Sequence, residues 1–330
     1  MTSLPFKIDY TKPIDVVAVG SWTNFDHIFK VDRLPLPGDT VRIINNIHQV
    51  KYIYWGGCAL NIITAAAKIG AKTGLVTVVG EDFIESGYND YLKSLGVDVS
   101  GIIIINGEYC GHSFLFTDTH GDAICISHIG VSDNQENYEP NHQVLTKSKV
   151  VVISYRFDRF TFQAAKTSYD NGCLVIISGN LITSNRYIEE ILQTSHIIIC
   201  TTHELSILLD YINARGDVSF LFEKGIQAVI ETRGLEGSII HTPGMETHMS
   251  AILSQSMIDP VGAGDAFTGG VSAGLSFGWS LEKSVQLGSV IASFVVEAVG
   301  SQTNQPTLDK ARERLLMHGI ELPPHELSSN

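Results

Sequence analysis

The sequence predicts an α/β fold: a doubly wound, mostly parallel sheet with helices on both faces, plus a small β-sheet lid. Three observations carry this. From Lys149 onward, short β-branched runs alternate with helical stretches, the pattern of βαβ units. The run Ile14–Gly20 is mostly β-branched and ends in glycine, as a strand buried on both faces does. Residues 28–55 and 102–130 instead alternate polar and apolar side chains between turn signals, as half-exposed antiparallel strands do.

Taken in order, Ile14–Gly20 is the first strand, and Asp26 follows soon after it, at the end where such sheets bind ligands. Pro35, Pro37 and Gly38 punctuate the first alternating region. Gly56-Gly57-Cys58-Ala59-Leu60-Asn61 opens a helix that runs to about Ile69 and stops at Gly70. Its glycines let a ligand approach the backbone, and Asn61 offers an amide from the first turn. Leu75–Val79 is the next strand, and a helix from about Ser86 to Leu95 ends at Gly96. Strand Ile102–Ile105 leads into the second alternating region, where Cys110–Phe116 and Ala123–Ser127 flank the turn Asp118–Asp122. Further strands are expected at Val150–Ser154, Leu174–Ser178, Ile197–Cys200, Ala228–Glu231 and Ser238–His241. The division that follows is an α/β core of residues 14–27, 56–101 and 131–320, a lid of 28–55 and 102–130, and a tail of 321–330 that looks frayed from Pro323.

Composition narrows the function. The 330 residues carry a net charge of −13, which argues against sequence-independent nucleic-acid binding. The five cysteines, at 58, 110, 125, 173 and 200, show no Cys-x-x-Cys spacing and read as reduced thiols of a cytoplasmic protein. Met1–Pro13 has no apolar signal region, and the longest apolar runs are far too short to span a bilayer. The twelve histidines lack metal-site spacing, so His203 reads as a surface residue.

The chemistry centres on Asp259-Pro260-Val261-Gly262-Ala263-Gly264-Asp265-Ala266-Phe267. A glycine turn feeding a helix start presents unpaired N–H groups and the positive end of the helix dipole, a site for phosphate. Asp265 lies inside that turn. Besides capping the helix, a carboxylate there can take a proton from a hydroxyl as the hydroxyl attacks phosphorus. The stretch is neither a Rossmann fingerprint, since Phe267 replaces the third glycine, nor a Walker P-loop.

This wording resembles the C-terminal signature of the ribokinase-like (PfkB) kinases, and the resemblance extends over nearly the whole chain. It implies a ribokinase-like fold with ATP and Mg²⁺, Asp265 as catalytic base, and Gly262, Ala263 and Gly264 as the anion hole. Gly56, Gly57 and Asn61 resemble the N-terminal signature and, with Asp26, are implied to contact the substrate. Thr232, Gly234 and Gly237 resemble the turn beneath the nucleotide, although a plain hairpin would look the same. In Thr201-Thr202-His203-Glu204 the family has Asn-x-x-Glu; Glu204 keeps the outer-shell role toward magnesium and Thr201 departs. Ser178-Gly179-Asn180 replaces an Asp-Pro motif. The run Ser293–Thr307, with Phe116-Thr117-Asp118 and Asp259-Pro260, resembles the archaeal nucleoside kinases and bacterial adenosine-kinase-like proteins. The expected acceptor is therefore the 5′-hydroxyl of a nucleoside, with a sugar (ribose, fructose or a related carbohydrate) or a weakened ligand-binding role as alternatives. Neither nucleic acid nor membrane is an expected partner; a homodimer through the β lid is.

Overall fold

The computed structural model describes residues 6–20, 22–45, 53–120, 123–179 and 186–325. Residues 46–52 of the expected lid, Gly121 and Asp122 of its turn, Asn180, and tail residues 326–330 lie outside the described set.

The strands are β1 (Ile14–Val19), β2 (Phe25–Lys30), β3 (Ile53–Trp55), β4 (Thr73–Gly80), β5 (Asp98–Ile105), β6 (His112–Thr117), β7 (Ala123–His128), β8 (Ser148–Ser154), β9 (Leu174–Ser178), β10 (Ile197–Thr201), β11 (Ala228–Thr232), β12 (Ser238–Thr242) and β13 (Met245–Met249). The helices are α1 (Cys58–Lys68), α2 (Asp82–Glu85), α3 (Tyr88–Ser94), α4 (His142–Thr146), α5 (Arg159–Asp170), α6 (Ile188–Gln193), α7 (Thr202–Tyr211), α8 (Ser219–Glu223), α9 (Ala263–Ser276), α10 (Leu281–Val295) and α11 (Leu308–Met317).

The main sheet has the order β13-β12-β11-β10-β9-β8-β1-β4-β5. It is parallel from β5 to β11, while β12 and β13 are antiparallel. Successive strand residues point to opposite faces. Thus Val16 and Ala18 enter one core with α1, α9 and α10, and Val17 and Val19 enter another with α5, α6 and α7. From the central pair β1–β8 the chain proceeds outward to β4 on one side and β9 on the other. That divergence opens a crevice at the carboxyl ends of the strands.

The lid is a separate sheet of order β3-β2-β6-β7, with β2 antiparallel to β3 and parallel to β6. Its limits differ from the sequence-based ones. Ile102–Ile105 belong to β5, which closes the edge of the main sheet beside β4. Phe25–His27, expected in the core, begin lid strand β2. The helix expected over 86–95 is α3 alone, set off from α2 by Gly87 at φ +77°. Strand β13 was not expected; its residues are mostly exposed, so no apolar run marks it. The start of the tail is docked rather than frayed: Leu322 is buried, Arg312 Nη2 donates to the Pro323 carbonyl, and His325 stacks on Phe277.

Candidate active site

The turn before α9 forms because Gly262, its N-cap, adopts φ +80°, a conformation glycine takes without a Cβ penalty. A Cβ there would also lie 2.2 Å from Ser301 Cβ. Asp259 holds the turn from below, accepting the Val261 N–H at 3.1 Å and the Gly300 N–H at 2.9 Å. The Ala263 N–H turns back onto the Pro260 carbonyl. The Gly264 and Asp265 N–H groups have no acceptor among the described residues, and a Cβ on Gly264 would meet open space. Of the residues foreseen as the anion site, Gly262 likewise has no acceptor for its N–H among the described residues, so Gly262, Gly264 and Asp265 carry the free donors and Ala263 does not.

Asp265 stands in the first turn of α9, and Asn61 Nδ2 donates to its Oδ2 at 2.9 Å. Burial pushes the Asp265 carboxyl up to about 7; the Asn61 hydrogen bond opposes this and Glu204 adds to it. Asp26, on β2, is 5% exposed. It is likewise raised to about 7 by burial, then by Asp265 and Asp259. Two carboxylates with raised pKa values in one crevice mark a site for proton chemistry. The glycine pair divides its work. A Cβ on Gly56 would lie 2.0 Å from Asp26 Oδ2, so Gly56 makes room for the carboxylate. Gly57, the N-cap of α1, lines the crevice.

Two cavities meet here. A polar one of about 640 Å³ holds Asp26, Asn61, Glu204 and Asp265 in its wall. A more apolar one of about 400 Å³ is lined by Gly234, Gly237, Ile252, Phe267 and Val296. Thr201, Thr232 and Gly264 line both, so the free N–H of Gly264 sits at the junction. Thr232, Gly234 and Gly237 thus line the apolar cavity, and they also form the hairpin linking antiparallel β11 and β12.

Glu204 has a structural task as well. Thr201 is the N-cap of α7: its hydroxyl accepts the Glu204 N–H, while Glu204 Oε2 accepts the Thr201 N–H at 2.8 Å. The departure from Asn at 201 is a working capping box. Glu204 Oε1 has no partner among the described residues. One free carboxylate oxygen beside an anion site fits Mg²⁺ that keeps most of its waters. No cluster of three metal-ligating side chains occurs among the described residues. The second departure, Ser178, exchanges a 2.8 Å hydrogen bond with Thr268, whose hydroxyl also donates to the Gly264 carbonyl. It ties β9 to the anion turn. His203 is exposed, as expected.

Sequence reasoning missed Tyr155, Ser301 and Gln302 as site residues. Tyr155 follows β8 at φ +65°, lines the polar cavity, and lies 6.3 Å from the Trp22 ring. Nothing local marks a tyrosine for that backbone conformation. Ser301 and Gln302 lie in the Ser293–Thr307 run already singled out, but their contact with Asn61 spans 240 residues of chain.

An anion turn carrying a raised carboxylate, set between a polar and an apolar cavity under a lid, suits a small-molecule kinase. Residues 14–308 match the pfkB family carbohydrate kinases, and the chain belongs to that family. It is 31% identical over 300 residues to a nucleoside kinase of Methanocaldococcus jannaschii, covering 90% of this chain and 96% of the relative. The crystal structure of the M. jannaschii nucleoside kinase superposes with a TM-score of 0.82 at 30% identity, over 92% of this chain and 99% of that one. A ribokinase of Haemophilus influenzae is 25% identical over 300 residues, 88% of this chain and 95% of the relative. Among the described residues no helix is long and apolar enough to cross a membrane.

Proposed function

We propose that this kinase transfers the γ-phosphoryl group of ATP to the 5′-hydroxyl of a nucleoside. The observation that carries this is the junction of the two cavities at Gly264, with Asp265 facing the polar one. The adenine of ATP occupies the apolar cavity and the phosphates reach the Gly264 and Asp265 N–H groups. Asp265 takes the proton of the acceptor hydroxyl as its oxygen bonds to phosphorus and the bond to the bridging oxygen breaks, releasing ADP. Glu204 would hold Mg²⁺ through its waters, and the ion would supply charge neutralisation at the phosphates. The lid keeps water from the γ-phosphate.

Asp26 accepts the ribose 2′- and 3′-hydroxyls. Beyond it the cavity wall continues through Leu115, Trp22 and Tyr155, aromatic and apolar surface suited to a planar base. A free pentose would leave that wall uncovered, which favours a nucleoside over ribose. The nucleoside kinase relative at 31% identity supports the same choice. The capping and bridging roles of Thr201 and Ser178 count against a weakened, binding-only member. All five cysteines are free thiols, which supports a cytoplasmic setting.

ADP release with a panel of nucleosides and free sugars tests the acceptor. Nucleosides are expected to be used, and removal of the 2′- or 3′-hydroxyl to lower kcat/KM about 10- to 150-fold, a penalty that disappears in Asp26→Ala. Turnover of ribose or hexoses with none of nucleosides would establish a sugar kinase instead.

A further inference from the structure

We propose that Gln302 and Ser301 are positioning residues of the phosphoryl transfer, holding Asn61 in the amide orientation that presents its N–H to Asp265. The inference rests on Asp265 being the base. Ser301 Oγ and Gln302 Nε2 each donate to Asn61 Oδ1, both at 2.9 Å. Ser301, Gln302 and Asn61 are all buried. An asparagine amide is nearly symmetric in shape, and a half-turn about its terminal bond exchanges oxygen for N–H. That flipped state would set the amide oxygen against the carboxylate of Asp265 and the amide N–H against two other donors. Two donors converging on Oδ1 exclude it.

Gln302 is itself oriented. The Tyr88 hydroxyl donates to the Gly56 carbonyl at 3.0 Å, so its oxygen is left to accept, and Gln302 Nε2 donates to it. Lys68 Nζ grips the Gln302 carbonyl at 2.8 Å, and Gln305 Nε2 donates to the Asn61 carbonyl at 3.1 Å. The segment after α10 is thus clasped to α1 at Asn61 and Lys68. The result at the reacting end is that Asp265 Oδ2 is held by Asn61, leaving Oδ1 for the acceptor proton. Loss of the clasp lets the amide and the carboxylate wander, and small misplacements of a reacting group are costly in rate.

Gln302→Met keeps the length of the side chain and removes both N–H groups. It is expected to lower kcat about 10- to 100-fold with KM for ATP unchanged, and to have no further effect on kcat in an Asn61→Ala background. Ser301→Ala, a smaller truncation, is expected to lower kcat in the same direction and serves if Gln302→Met does not fold. Losses that add in the Gln302→Met/Asn61→Ala double mutant, or wild-type kcat in both single variants, would overturn the proposal. Asp265→Asn separates the two readings. If that variant keeps its activity, the base assignment fails; if it is dead while Gln302→Met and Ser301→Ala turn over normally, only the positioning role fails.

Discussion

Asp265 and Asp26 show how burial sets chemistry at single residues. Each carboxyl is raised to about 7, first by burial, and Asp26 also by Asp265. Only the ionised Asp265 accepts a proton. The kcat/KM–pH profile, which reports the free enzyme, is therefore expected to rise through about pH 7 and level off above it. A profile flat from pH 5.5 to 8.5 would remove Asp265 as base. Stability runs the other way. With folded pKa values near 7 and an unfolded value of about 3.9, the folded chain binds more protons between those limits. Stability is then present below about pH 4 and lost as pH rises through about 7. Asp26→Asn removes one buried charge, so it is expected to raise Tm at pH 8 and leave it nearly unchanged at pH 4, at the expense of acceptor binding. Thermal melts at the two pH values measure this. Both residues were legible in the sequence, Asp265 because it lies inside a glycine turn and Asp26 because it follows the first strand at the end where such sheets bind ligands. Their mutual repulsion was not, since β2 and α9 meet only in the folded chain.

At the scale of elements, the start of α7 joins stability to the metal role proposed for Glu204. Thr201 and Glu204 complete a capping box, and the same Glu204 lines the polar cavity. Removing a threonine cap costs about 1 kcal/mol. Thr201→Ala is expected to lower Tm by roughly 2–4 °C and to raise the Mg²⁺ concentration needed for half-maximal rate, because Glu204 loses one of its two tethers. Thr201→Asn, which restores a good cap, is expected to preserve both. Melts and Mg²⁺ titrations at fixed ATP decide the matter; an unchanged magnesium curve in Thr201→Ala would confine Thr201 to capping. The Thr-x-x-Glu spacing is visible in the sequence, but its dual use is not. Capping depends on local spacing, whereas facing the anion site depends on where β10 lies in the sheet.

At the scale of the whole molecule, the lid has two faces. Asp26, Ser113 and Leu115 face the polar cavity. The other face carries Phe29 stacked on Phe116 and His27 stacked on Phe114, with Ile126 60% exposed and Ile53 40% exposed. An apolar sheet face open to water is a site of association. A homodimer with two lids packed together, as proposed from the sequence, would cover it. Wild type is expected to sediment as a dimer and Ile126→Lys to shift toward monomer with its fold intact. A wild-type monomer at micromolar concentration would exclude this arrangement.

By itself the sequence determined the α/β core, the lid, the anion turn and the carboxylates, because strand runs, alternation and glycine turns act over a few residues. It also marked the Thr232–Gly237 turn, though not whether that turn was more than a hairpin. Tertiary structure decided the rest. It assigned 102–105 to the main sheet, set Asp26 into the space over Gly56, and docked the start of the tail onto Phe277. It brought Gln302 to Asn61 and joined two cavities at Gly264. Each of these depends on atoms far apart in the chain that meet only once helices pack and strands pair, a distance over which local patterns carry no information.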